Sequence, residues 1–415
     1  MLAAVALLLA LPLAHAADDV DALSLRSAPV ESAPLTGASN RATIELALGR
    51  ADLRQAQPSQ TLHRGSADLY LSGTFAPGWK WLLSDRFDAL DPSEPGKDHS
   101  LNSLREAYVS WSDEAAQWAA DIGRINIRLG TAYGYNPTDF FRDGSLRAFT
   151  TADPIALREN RMGTVVLRGQ RLWEGGSISL AYSPKLTRTP SAETFSLDLG
   201  STNSRERALV ALGFKVSDHI SGQLALYKDE GLDPQPGVSL SALVSDAVVA
   251  YAEWSGGREP SLADRAWGVA GPTVSGNRFA GGFTFTAPTK TSLTFEYQVN
   301  GFALSQSRWD SIAASNPAAL GAYLSEARRR QDLPSRRGWM VYVSQPDLVV
   351  KNLDLTAFWQ QNPGDSSHVA WVELRHHWSR LELALQLQDN VGKPTSVYGL
   401  LPDRRSAVLL LAYRL

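Results

Sequence analysis

The side chains that could make or break bonds are few and poorly spaced for it. The 415 residues include seven histidines and no cysteine. Without cysteine there is no disulfide scaffold, thiolate metal site or thiol nucleophile. His376 and His377 are adjacent, and neighbours on a strand point to opposite faces, so they do not share a site. A membrane hydrolase needs serine, histidine and an acid grouped at strand tops, and the histidines lie mostly in turns or loops. No glycine-rich loop follows a strand and opens a helix, so no nucleotide site is indicated. Asp153-Pro154 and Asn136-Pro137 read as turns. The expectation is no catalytic residue, no metal ligand and no cofactor. A formal net charge of -3 excludes a grossly basic nucleic-acid binder.

What the sequence does repeat is alternation. In Ser292–Phe302, Leu293, Phe295, Tyr297 and Val299 alternate with Thr294, Glu296, Gln298 and Asn300. In Arg380–Asn390, Leu381, Leu383, Leu385 and Leu387 alternate with Glu382, Ala384, Gln386 and Gln388. Arg278–Ala287 and Asn352–Gln360 obey the same rule. A period of two over about ten residues marks a strand crossing a thin bilayer at a tilt, with one face to lipid and one to water. A soluble sandwich also alternates, but the strand lengths and their recurrence to the last residue favour a barrel. The mean hydropathy of -0.19 fits, because each strand gives half its side chains to water. No apolar run reaches the roughly eighteen residues of a transmembrane helix.

Eighteen strands are predicted, near 42-51, 62-74, 79-90, 101-112, 117-129, 162-171, 176-186, 205-216, 219-229, 237-244, 246-256, 277-287, 291-302, 338-345, 350-361, 367-377, 380-390 and 405-415. Sixteen is the nearest alternative, because strands such as 237-244 are weak. Connections after even-numbered strands are short and the others mostly longer, as in barrels with short periplasmic turns and long outer loops. The fold class expected is all-β, a transmembrane antiparallel up-and-down β-barrel. Trp79, Trp81, Trp111, Trp118, Trp173 and Trp378 sit beside predicted short turns, and Trp254, Trp339 and Trp359 at the opposite strand ends. Such placement suits interfacial belts.

Residues 1-16 read as a signal peptide closed by Ala14-His15-Ala16, and 17-40 as a flexible periplasmic segment. The barrel is then 41-415. The final stretch SAVLLLAYRL is an amphipathic strand that would leave an aggregating edge unless it pairs with the first.

A barrel this wide leaves an aqueous lumen, so function is expected in its lining and its inward loops. Candidate lumen residues are Arg124, Arg128, Arg168, Glu253, Glu296, Asp354, Glu373, Arg375 and Glu382. The phase around Gly123–Leu129 is out of step, suggesting a bulge. The long loop Gly130–Arg161 supplies constriction candidates: Tyr135, Asn136, Asp139, Phe140, Phe141, Arg142, Arg158, Glu159 and Arg161. A second loop, Ala303–Arg337, has helical character, with Asn316 as a cap, Pro317 at the first position and Leu320, Tyr323, Leu324 and Ala327 on one face. Its Arg328, Arg329, Arg330, Arg336 and Arg337 read as a basic patch at the mouth, attracting anions or lipopolysaccharide phosphates.

The run Gly123–Gly130, then Asn136–Phe141, then Leu157–Arg161, resembles the strand-loop-strand region of alginate-export-like outer-membrane barrels. That resemblance covers about forty residues and implies an eighteen-stranded channel for anionic polysaccharide or small solutes. An arginine-dominated lumen is what alginate would need, whereas acidic residues are interleaved here. The expected function is therefore an outer-membrane channel for polar or anionic solutes or a polysaccharide. The alternative is a plugged barrel serving as anchor or docking component of an export complex. Expected partners are outer-membrane lipid, lipopolysaccharide and the barrel-assembly machinery, with export-complex partners under the alternative and no nucleic acid.

Overall fold

Alternating side chains make a wall with two chemistries. The computed structural model describes residues 40–54, 59–93 and 97–415. The expected signal peptide, and all of the expected 17-40 segment except Asn40, lie outside the described residues.

The described residues form eighteen strands. They are β1 (Asn40–Leu53), β2 (Gln60–Ala76), β3 (Trp79–Asp91), β4 (Ser100–Ser112), β5 (Trp118–Ile125) and β6 (Thr164–Trp173). Next come β7 (Gly176–Ser183), β8 (Arg207–Ser217), β9 (Ile220–Asp229), β10 (Gln235–Ser245), β11 (Val248–Glu259) and β12 (Val274–Thr286). The last six are β13 (Ser292–Asn300), β14 (Arg337–Gln345), β15 (Leu353–Gln361), β16 (His368–His377), β17 (Leu381–Val391) and β18 (Asp403–Arg414). Each pairs antiparallel with the next, and β1 pairs with β18 from Thr43↔Arg414 to Leu53↔Asp403. The apolar final strand therefore has no free edge.

The weak stretch near 237-244 is a full strand, so eighteen stands rather than sixteen. Leu46, Leu48, Leu385, Leu387, Leu409 and Leu411 are exposed on the outside, while Glu296, Gln298 and Asn300 are buried inside. Trp79, Trp118, Trp173 and Trp378 are exposed at the short-turn rim, and Trp254 toward the other. Trp371 is different: it points inward, buried, and stacks on Phe358.

The bore is largely filled by the chain's own loops. β5 stops at Ile125, short of the predicted strand end, and the chain leaves the wall. Pairing of β5 with β4 and β6 shows no register shift, so the phase change comes from this departure and not from a bulge. Gly123, at φ 134°, permits it: a Cβ there would lie 2.3 Å from the Ala107 carbonyl oxygen. Ile125, Ile127, Leu129 and Phe141 then pack on Leu82, Tyr108, Val166, Leu209 and Tyr227 inside the barrel.

The helices among the described residues are short. They are α1 (Pro154–Glu159), α2 (Leu199–Thr202), α3 (Leu262–Trp267), α4 (Gln306–Ser315) and α5 (Pro317–Arg329). Leu320, Tyr323 and Ala327 of α5 join Trp309 of α4, Leu262 of α3 and Val397 in a small apolar core at the long-loop rim. Asn316 makes no side-chain cap for α5; its backbone N–H closes α4 on the Ile312 carbonyl instead.

Candidate solute passage

Two buried wall carboxylates hold the loop 126–163 in the bore. Glu296 of β13 accepts backbone N–H bonds from Tyr133 (2.7 Å), Gly134 (3.2 Å) and Tyr135 (3.0 Å), with the Tyr251 hydroxyl at 2.8 Å and Gln298 Nε2 at 2.7 Å. Glu253 of β11 accepts from Ala132 N–H (2.5 Å), Thr138 Oγ1 (3.0 Å) and Asn136 Nδ2 (3.3 Å). Both glutamates are 0% exposed. A desolvated carboxylate persists only when its oxygens are filled, and here the loop fills them. Gly130, at φ 89°, lets the chain pass close by, since a Cβ there would lie 2.3 Å from the Glu253 carboxylate.

A second clamp joins this loop to the segment 301–336. Asp332 receives the Tyr135 hydroxyl at 2.6 Å, Arg142 at 3.3 Å and Arg278 at 2.9 Å. Asp143 pairs with Arg205 and Arg329 at 2.8 Å and with Arg330 at 2.7 Å. Burial acts to raise both carboxyls, but the guanidinium groups win and hold them well below the usual carboxylate range.

Beyond these clamps a cavity of about 170 Å³, open to solvent, remains between the loop and the wall of β1–β4 and β16–β18. Arg64, Arg86, Arg147, Arg161 and Arg375 line it together with Glu45, Asp88, Asp153 and Glu373. Thr150, Thr151, Asn160, Trp371 and Gln386 complete much of its surface. On the wall side, Arg86 reaches Glu45 and Asp88 at 2.9 Å, and Arg375 reaches Glu373 at 2.8 Å and Glu382 at 3.0 Å. Arg64 spans from Glu45 (2.5 Å) to the Thr150 carbonyl (2.8 Å), tying wall to loop.

Of the sequence candidates, the structure brings Glu373, Arg375 and Arg161 to this cavity. Glu253 and Glu296 are corrected from lumen lining to loop anchors, because no surface of either reaches open water. Arg124 and Arg168 are also buried: Arg124 donates to the Leu104 carbonyl and Thr202, and Arg168 pairs with Asp121 at 2.8 Å. Arg128 lies beyond the end of β5, 4.0 Å from Glu159. Asp354 and Glu382 meet His377 near the short-turn rim at 3.2 and 3.5 Å, and Glu382 also pairs with Arg414.

The loop does fold inward, but most of its named residues pack against structure. Phe140 stacks on Tyr227 at 4.7 Å, Phe141 meets the same ring edge-on, and Arg207 lies over Phe141. Tyr135, Asn136 and Arg142 serve the clamps. Arg158 and Arg161 embrace Asp139 at 3.2 and 2.8 Å. The mouth patch is not a single cluster of free charge. Arg329 and Arg330 are neutralised by Asp143, and Arg328 sits over the Phe149 ring. Arg336 donates to the Ala303 carbonyl, while Arg337 lies exposed on β14. Sequence reading missed Glu45, Arg64, Arg86, Asp88 and Asp153; the first four occupy inward positions of predicted strands, which is the signal that marks them.

Fold and site together define a closed antiparallel transmembrane barrel of eighteen strands with a bore narrowed by its own anchored loop. Solved structures of that class match over nearly the whole chain. A BenF-like porin from Pseudomonas fluorescens Pf-5 has a TM-score of 0.57 at 11% identity, covering 91% of this chain and 98% of its own. OccAB1 of Acinetobacter baumannii gives 0.58 at 10%, covering 93% and 99%. OpdL of Pseudomonas aeruginosa gives 0.57 at 12%, covering 91% and 98%. No family model and no curated protein matches the sequence. The likeness supports a porin-like barrel; an alginate-export-like family is not shown by it.

Proposed function

We propose that this chain is an outer-membrane channel for small polar or anionic solutes, exported by its N-terminal signal. The observation that carries the reading is a solvent-open cavity of about 170 Å³ in the bore, where charged side chains from the wall of β1–β3 and β16 face the inner loop. The cavity's five arginines are each held by a carboxylate, Arg161 by Asp139 and Arg147 by Asp198 among them, so the lining is polar with its cations paired. A path bounded by a firmly anchored loop suits small solutes better than a sugar polymer. Outer-membrane lipid, lipopolysaccharide and the barrel-assembly machinery belong to this reading as partners.

Purified protein in planar bilayers should give discrete conductance steps. The absence of cysteine makes a sharper test available. A single Thr150→Cys variant, on the passage, should lose conductance on treatment with a charged thiol reagent. A Gln235→Cys variant, on the far side of the loop, should not. A correctly folded but silent barrel would overturn the channel and favour the plugged anchor, to which the helical cap of α3, α4 and α5 lends some support.

A further inference from the structure

Three of the four carboxylates on the passage are paired with arginine: Glu45 with Arg64 and Arg86, Asp88 with Arg86, and Glu373 with Arg375. Asp153 is the fourth. Its carboxylate caps α1 by accepting the Ile155 N–H at 3.1 Å, and it also meets the Tyr342 hydroxyl of β14. Among the described residues no lysine, arginine or histidine forms an ion pair with it.

The groups around it reinforce the imbalance. From β16, Glu373 faces the same cavity, with its charge already spent on Arg375. From its own segment come Arg158 and Arg161, both committed to Asp139, Arg147, committed to Asp198, and Glu159, which lies beside Arg128. From β1–β3 come Glu45, Arg64, Arg86 and Asp88, all mutually paired. Tyr133 and Tyr342 supply ring and hydroxyl rather than charge.

The geometry points to Asp153 as the residue that sets the charge selectivity of the passage and makes that selectivity respond to pH. The inference rests on the channel reading above. Burial, with Glu373 and Glu159 nearby as like charges, pushes the Asp153 carboxyl up to about 6. Above that pH the cavity carries this one negative charge without an arginine partner; below it that charge is gone and the remaining charges stay paired. Acidification therefore favours anions, and the change comes at a single side chain.

The test is the reversal potential in a potassium chloride gradient across a planar bilayer, at pH 7.5 and pH 5. The wild-type anion-to-cation permeability ratio should rise on acidification by roughly twofold. Asp153→Asn keeps the helix cap, because asparagine caps as well as aspartate. At both pH values it should show the ratio that the wild type shows only at pH 5. Glu373→Gln should shift the ratio yet keep the pH step. An Asp153→Asn channel that retains the step, or a wild-type channel without one, overturns the inference while leaving the channel standing. A folded wild-type barrel with no conductance overturns the channel reading and this one with it.

Discussion

The loop 126–163 has two sides, built from the same residue types and put to opposite uses. Toward β11 and β13 it meets Glu253 and Glu296, each 0% exposed and filled mainly by the loop's own amides and hydroxyls. Toward β1, β2 and β16 it meets Glu45 and Glu373, which are filled by arginine side chains at the edge of open water. A glutamate held by fixed backbone donors is a fastener. A glutamate held by a guanidinium still presents a charged surface to anything passing. Burial and partner type, rather than residue type, separate holding from sorting.

The anchored side should break first and hardest. Glu296→Ala leaves three backbone N–H groups and the Tyr251 hydroxyl without their acceptor. Removing such a hub should cost about 3 kcal/mol. It should appear as a lower thermal midpoint in detergent and as a noisier, larger conductance once the loop is free. Unchanged conductance and stability would mean that something other than Glu296 holds the loop. Asp332→Asn comes next. It strips the charge facing Arg278 and Arg142 but keeps an acceptor for Tyr135, so about 2 kcal/mol is expected, read the same way.

The clamps should also outlast acidification. Asp143 and Asp332 have folded values held well below the usual range by arginine. Their stabilisation is complete above the ordinary carboxylate pKa and is lost only as pH falls through those lowered values. Limited proteolysis of the loop should therefore give the same rate at pH 7.5 and pH 5, whereas the switch proposed at Asp153 acts between them. Faster cleavage at pH 5 would show the clamps yielding in the same range as the proposed Asp153 switch.

Much of the wall was legible and the division of labour was not, for physical reasons. In β12 and β13 the lipid-facing Phe279, Phe283, Phe295 and Tyr297 contrast sharply with Arg278, Thr284, Thr294 and Glu296, so the phase reads directly. In β2 the lipid-facing set includes His63, Gly65 and Ala67, which contrast weakly with the inward Arg64, Ser66 and Asp68. In β3 the inward set Leu82, Ser84, Arg86 and Asp88 alternates with Leu83, Asp85 and Phe87, so each face carries both apolar and charged residues and the contrast is weak. Those strands were found while their inward charges were passed over. The loop has no period at all. Which of its sides meets water is decided by Glu253 and Glu296, more than a hundred residues further on. The basic run Arg328–Arg337 looked like one patch because adjacency in sequence hides that Arg329 and Arg330 turn inward to Asp143.

The smallest expected effect on stability makes the comparison sharpest, because it applies one chemical change to both sides. Glu373→Gln removes a charge from a partly exposed pair, and Arg375 keeps Glu382 at 3.0 Å. Exposed or partly exposed pairs contribute little, so stability should change by less than about 1 kcal/mol. The permeability ratio should nevertheless move toward anions. Glu296→Gln replaces one carboxylate oxygen by an NH₂ group that would point at backbone N–H donors, so it should loosen the loop with no direct loss of charge from the passage. If both variants changed selectivity without changing stability, Glu296 would belong to the passage after all. If both destabilised the barrel equally, the wall glutamates would be fasteners on either side.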